Sequence, residues 1–121
     1  MDQIKNSKRY DLEERTFQFA KKVANYVKIL PKTIPNVEYS SQVARSSGST
    51  GANYIEANEA LSKKDFVMRI KICRKEAKES GFWLRLIVET NDYEFAKEGM
   101  KLLEESQELK KIFSAIHGKS V

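Results

Sequence analysis

The sequence predicts an all-α protein, an antiparallel up-down-up-down four-helix bundle. Three observations lead there. Helix breakers are scarce, with only two prolines, Pro31 and Pro35, and five glycines among 121 residues. Apolar residues recur at steps of three and four along four long stretches. The period-two alternation of a strand appears nowhere convincingly.

The first helix is expected over about 11–30. Asp11 with Glu14 has capping-box spacing. The stripe Leu12, Phe19, Ala20, Val23, Val27, Leu30 defines its apolar face. Pro31 ends it, and 31–35 form the turn. The second helix, about 36–60, starts at Pro35 or Asn36, because proline suits a first helical turn. The third, about 63–89, has Ser62 followed by Asp65, again capping-box spacing. Phe66, Ile70, Cys73, Ala77, Leu84 and Ile87 form its core stripe. The fourth, about 92–117, follows Asn91 and presents Phe95, Gly99, Leu102, Leu109, Phe113 and Ile116. The tail 118–121 is expected to fray. One domain over 1–121 accounts for the length, with no internal repeat.

Composition sets outer limits. A formal net charge of +5 and a pI of 9.3 permit contact with nucleic acid or another acidic surface without demanding it. Cys73 is the only cysteine, so no intrachain disulfide forms, and a cytoplasmic setting is expected. No apolar run approaches the ~20 residues of a membrane span. Residues 1–9 lack the apolar segment of a signal peptide.

One segment resists a composition reading. Arg45-Ser46-Ser47-Gly48-Ser49-Thr50-Gly51-Ala52-Asn53-Tyr54-Ile55-Glu56 is rich in Ser and Gly, the composition of a flexible linker. Yet it lies between apolar-periodic segments and keeps a helical period. Gly costs about 1 kcal/mol in a helix interior, so close approach of a neighbouring helix must offset it. Ala44, Ser47, Gly48, Gly51 and Ile55 fall on one side and define the expected packing groove. Arg45, Asn53 and Glu56 share a helix face and form a candidate polar network, set against the plainer reading of a solvated face.

The residues here also carry a family resemblance. Ser41-Gln42-Val43-Ala44-Arg45, Gly51 to Ala60, Lys63-Lys64-Asp65-Phe66, Lys75 to Glu79 and Trp83 to Ile87 resemble, in order, a bacterial four-helix-bundle family. Its members were first noticed as reading frames in intervening sequences of large-subunit ribosomal RNA genes. The family's commoner form has Pro-Ser-Asn-Ile-Ala-Glu-Gly where this chain has Gly51 to Ala57. Asn53 and Glu56 are kept, and the proline and last glycine are replaced. The resemblance spans about 11–116. It implies an antiparallel four-helix bundle assembled as a ring-like homopentamer, and no established enzymatic activity. A related protein, the accessory subunit of diversity-generating retroelements, is a pentameric barrel whose basic surface contacts nucleic acid and a reverse transcriptase. By analogy, RNA or DNA is an expected partner here.

The third helix carries two further surfaces. Met68, Ile72, Trp83 and Leu86 lie beside its core stripe and form a candidate oligomer interface, unless Trp83 merely caps the chain's own core. Lys71, Lys75, Lys78 and Arg85 share one face, with Phe82 among them. They form a candidate nucleic-acid-binding row, against the plainer reading of a solubilising face partly neutralised by Glu76 and Glu79.

Signals for catalysis are missing. His117 stands alone near the C-terminus, without metal-ligand or general-base spacing. Ser46 to Gly51 lacks the Gly-Lys-Ser/Thr of a phosphate loop. Glu104 and Glu105 are adjacent and point apart, and no Glu-x-x-His occurs. No catalytic residue, metal, cofactor, small-molecule substrate or membrane partner is expected. The sequence reading is a non-enzymatic homo-oligomer that binds RNA or DNA through a basic surface, with a protein-interaction scaffold as the alternative.

Overall fold

The computed structural model describes residues 2–121, with side chains described from Asp11 onward. Among them the chain forms four helices and no strand: α1 (Asp2–Ile29), α2 (Ile34–Asn58), α3 (Lys63–Thr90) and α4 (Tyr93–Ser120).

Local chemistry explains most boundaries. Thr33 caps α2, its hydroxyl accepting from the Asn36 amide at 3.2 Å, and Pro35 sits in the first turn as expected. Ser62 caps α3, accepting from the Asp65 amide at 3.1 Å. Asp92 is the N-cap of α4 without a side-chain bond to an amide. Two expectations are corrected. α1 begins at Asp2, so Asp11 lies inside the helix and caps nothing; residues 2–10 contain no proline or glycine to interrupt it. α4 continues to Ser120 through Gly118, so 118–121 does not peel away; one glycine in a last turn costs too little to end a 28-residue helix.

The helices wrap one core. Leu12, Phe19, Val23, Tyr26 and Leu30 enter it from α1, or from just past its end. Val43, Tyr54 and Ala57 come from α2; Ile70, Cys73, Ala77, Leu84 and Ile87 from α3; Leu102, Leu109 and Phe113 from α4. Cross-helix contacts fix the order. Asn58 of α2 donates to Glu13 of α1, and the α-carbon of Gly51 lies against Thr16. Arg45 reaches Glu76, while further along α2 Asn53 accepts from Arg69. Arg15 grips Glu105 through two bonds of 2.8 Å, and Tyr26 donates to the Phe95 carbonyl at 2.7 Å. α3 packs most extensively, against both α2 and α4.

The Ser/Gly segment is helical throughout and belongs to α2. Its buried side differs from the expected one. Ser46, Ser47, Thr50 and Tyr54 face inward, while Ala44, Gly48 and Ile55 are exposed. The hydroxyls tolerate burial because each finds an acceptor. Thr50 donates to the Ser46 carbonyl at 2.9 Å, Ser47 to Ala44 at 3.3 Å, and the Ser46 and Ser80 hydroxyls share a bond of 2.8 Å. Close approach is real at Gly51, where an added Cβ would lie 3.0 Å from Thr16 Oγ1. At Gly48 it is absent, with nothing within 4 Å.

Candidate nucleic-acid interface

A surface groove of about 480 Å³ runs along the outer side of α3 and reaches α4. Met68, Lys71, Ile72, Arg74, Lys75 and Lys78 line it from α3, and Lys110 and Ser114 from α4. Five cations thus surround a partly apolar floor. Among the described residues, none of the five is in an ion pair. Lys110 and Ser114 also line an adjoining hollow with Gln107 and Lys111, which extends the basic surface along α4.

The acids expected to neutralise this row are engaged elsewhere. Arg45 of α2 donates through Nη1 to Glu76 Oε2 at 3.1 Å and through Nη2 to Glu79 Oε2. Glu79, then Glu76, hold the Arg45 guanidinium above its ordinary pKa. Glu76 is buried at 5% exposure, beneath the Arg45 bridge. Among the described residues, Glu76 and Glu79 therefore form no ion pair with the cations of this groove.

Of the four cations singled out by spacing, Lys71, Lys75 and Lys78 share the groove. Arg85 does not line it. It lies two turns further on, with Nε donating to Glu89 at 2.8 Å, and that bond raises its pKa. Arg74 and Lys110 escaped the sequence reading. Arg74 sits off the Lys71–Lys75–Lys78 line, and Lys110 joins only through packing of α4 on α3. No helical spacing within α4 marks Lys110, whose neighbouring lysines are Lys101, Lys111 and Lys119.

The polar residues of α2 separate into two pairings. Arg45 belongs to the Glu76–Glu79 cluster. Asn53 donates to the Ser49 carbonyl at 2.9 Å and accepts from Arg69 at 3.0 Å. Glu56 is exposed and bonded to neither. The three do not form one network.

Met68, Ile72, Trp83 and Leu86 are likewise distributed. Met68, half exposed, and Ile72 form the apolar part of the basic groove. Leu86 lines a separate small cavity with Phe82, Arg85 and Glu89. Trp83 packs against its own core, with its ring 6.0 Å from Tyr39 and 5.0 Å from Phe82. Its indole N–H is buried without an acceptor among the described residues.

Burial pushes the Cys73 thiol up to about 12, which leaves it protonated and unreactive. Glu105 of the adjacent carboxylates is bound by Arg15. Among the described residues no group of three or more His, Cys, Asp or Glu is placed to hold a metal ion. No described helix is long and apolar enough to cross a membrane.

Fold and surface together define an all-helical protein with a basic groove along α3 and α4. The chain matches the family described as 23S rRNA-intervening sequence protein over residues 8–115. It belongs to that family. It is also similar to the crystal structure of a protein with unknown function from the S23 ribosomal protein family of Bacteroides thetaiotaomicron. The two share 30% sequence identity at a TM-score of 0.74, over 87% of this chain and 96% of that one. No curated protein matches the chain.

Proposed function

We propose that this protein is a non-enzymatic, cytoplasmic homo-oligomer whose α3–α4 groove binds RNA or DNA through the phosphate backbone. The observation that carries this reading is the set Lys71, Arg74, Lys75, Lys78 and Lys110, five cations around one groove with no ion pair among the described residues. Like charges held this close repel, and a polyanion relieves the repulsion while releasing its condensed counterions. The engagement of Glu76 and Glu79 by Arg45 supports it further.

The assembly is an antiparallel up-down-up-down bundle of one domain repeated as a ring-like homopentamer. The opposed numbering of cross-helix contacts supports the antiparallel course. Large apolar side chains outside the groove support self-association, among them Val37 and Ile55 on α2 and Tyr93 and Met100 on α4, each about half exposed or more. A five-fold ring repeats the groove five times and concentrates positive potential.

A scaffold for protein partners is the second reading, favoured by the exposed apolar side chains of α2 and α4. Binding of labelled RNA and DNA across a salt series separates the two. Phosphate binding gives a steep loss of affinity with salt, and no binding at low salt removes the first reading.

A further inference from the structure

We infer that Phe82 is a base-stacking residue, so that the strand held by the basic groove is single-stranded nucleic acid with an unstacked base over Phe82. This rests on the groove being a polyanion site.

Phe82 is 57% exposed, so the face of its ring is open to a ligand. It stands one helical turn beyond Lys78, about 6 Å along the same face. The ring is braced rather than loose. It meets the edge of Trp83 at 5.0 Å with an interplanar angle of 80°, and Trp83 is packed on the core. A cavity of about 180 Å³ opens beside it, lined by Phe82, Arg85, Leu86 and Glu89. That volume is below the ~300–1,000 Å³ of a pocket that engulfs a whole ligand, and suits one ring. Arg85 spends Nε on Glu89, which leaves its other guanidinium N–H groups for a phosphate.

The chemistry selects single strands. A duplex hides its base faces in its own stack, and offers the groove phosphates alone. An unpaired strand offers a π-face to Phe82 while its phosphates follow Lys71, Lys75 and Lys78. A fixed ring beside a line of cations is the arrangement by which single strands are held without sequence preference.

Anisotropy measurements at low salt, with labelled single-stranded RNA, single-stranded DNA and a duplex of the same sequence, test this on the intact protein. The expected result is tighter binding of single strands than of duplex. Phe82→Ala weakens single-strand binding about ten-fold and leaves duplex binding unchanged, while Phe82→Tyr binds as the unaltered chain does. Trp83 is the only tryptophan, so its emission changes when single strands saturate the protein and stays constant with duplex. Equal single-strand binding by Phe82→Ala overturns the inference, and if Lys75→Glu still weakens binding the groove reading survives. An altered oligomeric mass for Phe82→Ala also overturns it, since a second copy then covers the ring. Absence of binding to any of the three removes both readings.

Discussion

Arg45 Nη1 lies 3.1 Å from Glu76 Oε2, and this contact decides the electrostatics of α3. Glu76 is the buried member, while Arg45 remains about half exposed at the surface. The guanidinium binds Glu76 and Glu79, so neither pairs with the lysine row beside them. Removing one partner of a buried charge is more damaging than removing both. Arg45→Ala therefore lowers the melting temperature by several degrees, Glu79→Ala by less, and adding Glu76→Leu to Arg45→Ala recovers part of the loss. Thermal denaturation followed by circular dichroism checks the order of the three.

Two glycines have opposite roles. A Cβ at Gly99 would strike the Tyr26 hydroxyl and lie 2.8 Å from Val88 Cγ2. Gly99→Ala must push apart α1, α3 and α4, at about 1–3 kcal/mol of destabilisation. A Cβ at Gly48 meets nothing within 4 Å. Gly48→Ala gains helix propensity and stabilises by about 0.5–1 kcal/mol. Urea denaturation midpoints of the two variants move in opposite directions.

Alkaline pH weakens the fold. Burial pushes the Cys73 thiol up to about 12 from 9.0 and the Tyr26 phenol up to about 12 from 10.0. Both groups are neutral when protonated, so the folded chain retains protons that the unfolded chain gives up. The resulting stability is complete below pH 9, and is lost as the pH rises through the window up to about 12. Urea midpoints fall across that window. Cys73 resists thiol reagents at pH 8 in the folded protein and reacts once urea unfolds it.

Self-association is tested by light scattering. Five chains of 14.0 kDa give about 70 kDa, and a mass of one chain contradicts the proposed ring.

The fold was legible where local chemistry acts alone. Pro35, Ser62 and Asp65 mark their helix starts because capping depends on three or four neighbouring residues. The inward side of α2 was less legible. Hydropathy favours Ala44 and Ile55 over Ser46 and Thr50, yet a hydroxyl bonded to the preceding turn buries easily and lets helices approach. Asp11 misled because capping spacing is also compatible with a helix interior. In the candidate site, Lys71, Lys75 and Lys78 followed from helical spacing. Lys110 depends on how α4 packs on α3, and the diversion of Glu76 and Glu79 depends on Arg45 from α2. Neither is encoded within a single helix.

The most direct measurement is the salt dependence of nucleic-acid binding by the unaltered chain, by Lys75→Glu with Lys110→Glu, and by Lys21→Glu on exposed α1. If the groove neutralises phosphates, affinity falls log-linearly with salt. The groove variant then binds weakly with a slope shallower by about one per lost phosphate contact, and Lys21→Glu matches the unaltered chain. Equal affinity and equal slope in all three proteins would contradict the account.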